Sequence, residues 1–163
     1  MKPLKLLCCL LALVFVSSCN LRPVYQRDAS IIEGVTYDIK SFKNTNPAFN
    51  FALKDALNDV FIKSQQSRYQ LDIELRDSAT NFSSQSNTTY NRTKIDLVAN
   101  FKLSDLGTGK VILKDKAIVS DSFEINNSPY SSLVSEEETY SILAVNLSHQ
   151  LKHRVASALA NTY

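Results

Sequence analysis

"RYQLDIELRD", residues 68–77, is the stretch on which the fold turns. Tyr69, Leu71, Ile73 and Leu75 alternate with Arg68, Gln70, Asp72, Glu74 and Arg76. A period of two sends one set to each side of an extended chain, so this stretch is a strand with one apolar and one charged face. "KIDLVANFKL", residues 94–103, repeats the pattern with Ile95, Leu97, Ala99, Phe101 and Leu103. "SDLGTGK", residues 104–110, holds two of the chain's three glycines, Gly107 and Gly109, and reads as a hairpin turn. "KVILKDKAIVSDSFEI", residues 110–125, then returns, with Val111, Leu113, Ala117, Val119, Phe123 and Ile125 on one parity. A run of that length predicts a long hairpin arm.

Between the second and third strands lies "SATNFSSQSNTTYNRT", residues 78–93, rich in Ser, Thr and Asn with no Gly or Pro. It is either a flexible linker or a continuation of the two strands with both faces polar, since Thr and Tyr suit strands. Upstream, "IIEGVTYDIKSF", residues 31–42, alternates at Val35, Tyr37 and Ile39 and predicts a half-buried first strand.

Two amphipathic helices flank these strands. Asn46 is a good N-cap and Pro47 suits the first helical position, where its missing N–H costs nothing. Phe49, Leu53, Ala56, Leu57 and Val60 follow in one stripe, and the helix is expected to end between Lys63 and Gln66. The C-terminal helix is expected to start at a capping box of Ser135 and Glu138, with Glu136 and Glu137 complementing the positive end of its dipole. Its stripe is Tyr140, Leu143, Ala144, Leu147, Leu151, Val155, Ala158 and Leu159. The order is β-α-β-β-β-α. The economical arrangement is an α+β two-layer sandwich: a mostly antiparallel four-stranded sheet with both helices on one face. The other face stays polar, as antiparallel sheets allow.

The start of the chain is of another kind. Lys2 and Lys5 precede an unbroken apolar run, Leu6–Val16, too short to span a bilayer comfortably, and Ser17 and Ser18 lead to Cys19. Val16-Ser17-Ser18-Cys19 resembles a bacterial lipobox, whose thiol takes a diacylglycerol and becomes the new N-terminus. The expected organisation is a signal peptide over 1–18, a lipidated tether over 19–30 containing Pro23, and one domain over 31–163. Diacylglycerol and an N-acyl chain on Cys19 are the only bound groups expected. Two or three chains, at about 0.8 kcal/mol per buried CH₂, anchor stably where one does not. Asn20 follows the cysteine in place of the Asp that commonly retains lipoproteins at the inner membrane, which points to the outer membrane.

Maturation also rebalances the composition. Cys8 and Cys9 leave with the signal, so no internal disulfide can form. The 18 basic residues fall by Lys2 and Lys5 to 16, equal to the 16 acidic ones. That balance argues against a nucleic-acid binder. Catalytic motifs are missing too. His149 and His153 share a helix face in "HQLKH" but lack the Glu of HExxH and a third ligand. "GTGK" lacks the glycine pattern and following helix of a phosphate loop, and there is no Gly-x-Ser-x-Gly. A non-enzymatic role is expected. The candidate site is basic: Arg92, Lys94, Lys102, Lys110, Lys114 and Lys116 fall in the hairpin region. Lys102 opposes Phe101 and Leu103 in parity, and Lys114 and Lys116 oppose Leu113 and Ala117. These groups are either the usual decoration of a solvated sheet or a surface that engages phosphates.

A lipobox cysteine followed by Arg22-Pro23-Val24-Tyr25 resembles the LptE family of LPS-assembly lipoproteins, some of which carry an "RPLY"-like stretch at this place; Val24 departs from the commoner Leu. The element order and length are similar too, over nearly all of 19–163. The resemblance implies an outer-membrane lipoprotein on the periplasmic side. Such proteins plug an LptD-type β-barrel and assist its assembly and the delivery of lipopolysaccharide to the outer leaflet. Their partners are the barrel and lipopolysaccharide, whose lipid A phosphates the six basic residues could meet. A polar sheet face suits a polar barrel lumen. The alternative is a free-standing envelope lipoprotein that binds lipid or serves as an accessory subunit of a transporter. A lipid-anchored hydrolase is a third class.

Overall fold

The computed structural model describes residues 32, 34–41, 47–61, 66–83, 91–125 and 128–162. The signal segment, Cys19, the Arg22–Tyr25 stretch and Asn46 lie outside the described residues. So do the boundaries expected at 18/19 and 30/31.

The elements follow the expected order: β1 (Val35–Ser41), α1 (Pro47–Val60), β2 (Tyr69–Ser83), β3 (Asn91–Asp105), β4 (Val111–Ile125) and α2 (Pro129–Ala160). The strands form one open sheet in the order β1-β2-β3-β4. β1 runs parallel to β2, and the β2–β3 and β3–β4 pairs are antiparallel. The architecture is the α+β sandwich read from the alternation.

Period two is what makes the sheet two-sided. Leu71, Ile73 and Leu75 of β2 are buried opposite Leu103, Phe101 and Ala99 of β3. Leu97 and Ala99 are buried in turn opposite Val119 and Ala117 of β4. Phe49, Leu53 and Leu57 of α1 and Leu143, Leu147, Leu151 and Val155 of α2 close the same cluster. Tyr37 fastens β1 to α1, its one hydroxyl proton shared between Asn58 Oδ1 (2.6 Å) and Lys54 O (3.1 Å). The rings of Phe49 and Tyr140, 5.8 Å apart, join the two helices.

Beyond this core the hairpin continues. β2 runs on to Ser83 and β3 starts at Asn91, so residues 78–83 and 91–93 are strand rather than linker; 84–90 lie outside the described residues. The helix-side positions of β2 here are small or polar, and Ala79 and Asn81 are exposed. Thr93 is buried and satisfied, donating to Asn81 Oδ1 at 2.9 Å. The core thins toward this end, and Tyr130, Leu133 and Val134 in the first turns of α2 are exposed.

Three local expectations are corrected. α2 begins at Pro129, with Ser128 as N-cap in extended backbone, and not at a Ser135–Glu138 capping box. Ser135 is helix interior, its carbonyl accepting from Thr139 Oγ1 at 2.8 Å. The proline decides this: it disfavours helical backbone at Ser128 and presets its own φ for the first helical position. Glu136–Glu138 therefore stand clear of the first turn. At the other helix, α1 closes at Val60, short of Lys63; the next residue, Phe61, is buried in the core. Finally, Val111 leaves the apolar parity. Leu103 faces Leu113 but Ser104 faces Val111, so β4 carries one extra residue, Ile112, at a bulge. Ile112 packs against the core and Val111 is exposed.

The β3–β4 turn is held by Asp105, whose carboxylate accepts from the N–H of Gly107 (2.8 Å) and Thr108 (3.0 Å). Gly109 supplies the positive φ of 68° that this turn requires. The backbone bond from Thr108, with that from Gly107 and the charge of Arg68, holds the Asp105 carboxyl below the usual carboxylate range.

Leu97→Ala is expected to cost about 2–5 kcal/mol in chemical denaturation, whereas Ala79→Ser on the thin arm should stay within about 0.5 kcal/mol. Asp105→Asn keeps an acceptor for the turn and loses the charge. Because the folded-state pKa of Asp105 is depressed, its contribution is present above the unfolded value of about 3.9 and lost as pH falls through the folded one. The melting temperature of Asp105→Asn should lie below wild type at pH 7, and the gap should close on acidification below about pH 4.

Candidate anion-binding face

The uncovered face of the sheet is built from the other parity, and strand register sets its side chains in cross-strand rows. One row runs Lys40, Glu74, Asn100, Lys116 from β1 to β4. The next runs Asp38, Asp72, Lys102, Lys114. Between them the sheet forms a groove of about 560 Å³ whose charged lining on this face is Lys40, Lys102, Lys114 and Lys116 against Asp72 and Glu74. Lys102 is the neutralised member, with Nζ 3.1 Å from Asp72 Oδ2. Lys40, Lys114 and Lys116 form no ion pair among the described residues. Against Asp72 and Glu74 the four lysines leave an excess of two positive charges around the amide of Asn100, and Asp115, which also lines the groove, is paired with Arg154; this is the anion-receptive part of the face.

The six basic residues singled out in the sequence are not one cluster. Lys102, Lys114 and Lys116 are brought together in the groove. Arg92 and Lys94 sit toward the far end of the hairpin; Lys94 is eight residues along β3 from Lys102, about 26 Å at strand spacing. Both are already partnered: Arg92 Nε lies 3.7 Å from Glu124 and Lys94 Nζ 2.7 Å from Asp96. The Lys94 bond, with one from the Ser120 hydroxyl, holds the Asp96 carboxyl below its ordinary value. Lys110 is exposed on the β3–β4 turn, its backbone N–H donating to Thr108 Oγ1 at 3.3 Å.

Lys40 is the residue that sequence reasoning missed. Its parity, opposite to Tyr37 and Ile39, already placed it on the uncovered face. Its neighbours depend on β1 pairing parallel with β2 at Lys40–Glu74, which no local signal announces. His149 and His153 lie on the exposed side of α2. Among the described residues no group of three or more His, Cys, Asp or Glu side chains is arranged to hold a metal ion, and no helix is long and apolar enough to cross a membrane. "GTGK" is turn followed by β4, with no helix for a phosphate to cap.

No protein-family profile and no curated protein sequence matches the chain. Solved structures do. A provisionally assigned lipoprotein of Caulobacter crescentus superposes with a TM-score of 0.63 at 15% identity, over 82% of this chain and 96% of that one. An uncharacterized lipoprotein B from Nitrosomonas europaea gives 0.52 at 13% identity, over 77% and 83%. A minor lipoprotein from Acinetobacter baumannii gives 0.51 at 12% identity, over 77% and 94%. At these identities what is shared is the fold: one open sheet with two helices over a single face.

Proposed function

We propose that this chain is an envelope lipoprotein, anchored through acyl chains on Cys19 to the periplasmic side of the outer membrane. In this reading it acts without catalysis, as the LptE-type plug of an LptD-type β-barrel. It assists the barrel's assembly and the insertion of lipopolysaccharide into the outer leaflet. The observation that carries the reading is a conjunction. A lipobox-like Val16-Ser17-Ser18-Cys19 and the Arg22–Tyr25 stretch precede a fold shared with chains described as lipoproteins. One sheet face of that fold is left hydrophilic and basic. A polar barrel lumen can enclose such a face with little desolvation cost. The groove of Lys40, Lys114 and Lys116 offers charge-assisted hydrogen bonds to the phosphates of lipid A.

Two experiments test this. Cys19→Ala should move the protein from the membrane to the soluble fraction; unchanged fractionation removes the lipid anchor from the account. Mild-detergent pull-down of the lipidated chain should recover a large outer-membrane barrel in stoichiometric amount. Recovery without a barrel, but with bound lipid or a transporter, would favour the free-standing envelope lipoprotein. Within the groove, Lys114→Glu with Lys116→Glu should weaken lipopolysaccharide binding by roughly tenfold or more, about 1.4 kcal/mol, with the thermal melt preserved. Equal affinity would remove the phosphate role.

A further inference from the structure

β4 is an outer strand of the sheet, fifteen residues long, with its far side unpaired by any other strand of the sheet. A rim of that length is a template for strand addition, because each outward residue offers both an N–H and a C=O. The carbonyl of Lys116 identifies which residues face outward, since it accepts from Arg154 Nη1 of α2 at 3.0 Å instead of from β3. By alternation Ile118, Ser120 and Ser122 face outward as well.

This rim is partly closed from within. The N–H of Lys116 donates to Oδ1 of Asp115 at 2.8 Å. The N–H of Ser122 donates to Oδ1 of Asp121 at 2.7 Å. Arg154 occupies the Lys116 carbonyl and also pairs with Asp115. Both aspartates stand at helix-side positions, among Leu113, Ala117, Val119 and Phe123, where the alternation calls for an apolar residue. The Lys116 N–H, and then Arg154, hold the Asp115 carboxyl below the usual carboxylate range. By the same alternation Lys114 and Glu124 face outward too, and the Ser122 carbonyl has no partner among the described residues; Lys116 and Ser122 interrupt this row, so that no three successive outward residues offer both an N–H and a C=O.

We propose that Asp115, Asp121 and Arg154 form an edge guard that closes the outer rim of β4 to strand addition by a second copy of this chain. The guard is independent of lipid anchoring, and at Asp115 and Lys116 it borders the groove on the uncovered face.

The test uses the full chain in detergent, followed by sedimentation velocity over a wide range of protein concentration. Asp115→Ala/Asp121→Ala/Arg154→Ala should form dimers or larger species at concentrations where the wild type does not. Adding Ile118→Pro should reverse this, because the proline removes an outward N–H without breaking the β3–β4 ladder. Asp115→Asn/Asp121→Asn retains both acceptors and should behave as wild type. The guard is refuted if the triple alanine variant matches wild type, if its association survives Ile118→Pro, or if the asparagine pair associates like the alanine variant. Hydrogen exchange on the wild-type chain gives a check that needs no variant. The amides of Lys116 and Ser122 should exchange at least about tenfold more slowly than those of Ile118 and Ser120; equal rates would overturn the proposal.

Discussion

The alternation of apolar and polar side chains along β2, β3 and β4 is the constraint on which the rest of this molecule depends. Because neighbouring residues of a strand point to opposite sides, three strands in register make a sheet with one face that must be covered and one that need not be. A slip of one residue would exchange the two faces. Leu71 against Leu103 and Leu97 against Val119 would be expelled into water, and Lys102 and Lys116 driven beneath the helices. Burying one aliphatic side chain contributes about 1.5–3 kcal/mol, so a slip across this many positions has no compensation. Register and burial specify each other.

Length is the second constraint. Each of the three long strands has fifteen residues, about 50 Å of extended chain, and α2 has 32 residues, about 48 Å of helix. The helix therefore returns along the whole hairpin, from Ile125 back to the region of Asp115, where Arg154 meets the sheet. α1, with fourteen residues, covers only the end where β1 lies. One end of the domain is thus a complete two-layer sandwich. The other is a hairpin arm under the overhanging start of α2, where Ala79 and Asn81 provide little to bury and Tyr130 and Leu133 remain exposed.

Most of this was legible locally. Every strand and both helices stand where the periodicity put them, because the stretches around Leu71, Phe101, Leu53 and Leu147 have unambiguous periods. The departures came from single residues whose effect is sharp. Pro129 outweighed a plausible capping box because a ring that cannot donate and cannot tolerate a helical predecessor is a stronger signal than a favourable Glu. One extra residue at Ile112 reversed the parity of Val111, and a bulge of that kind depends on how the hairpin turn closes. The Ser/Thr/Asn-rich connector satisfies both the linker and the strand reading locally, and over 78–83 and 91–93 the pairing that reaches Ser83 and Asn91 decides for strand.

The sequence by itself determined which side chains share a face, because that follows from geometry within one element. It determined that Lys102, Lys114 and Lys116 turn away from the core, that two helices must cover the opposite side, and that the hairpin is long. Only the tertiary structure decided which of those side chains are neighbours. Lys40 joins Lys114 and Lys116 through a parallel pairing between segments thirty-four residues apart, while Arg92 and Lys94, closer in sequence to Lys102, lie far from it in space. The same holds for Asp115 and Arg154, thirty-nine residues apart. Contacts between elements depend on strand order, register and helix placement together, and no window of the sequence contains all three.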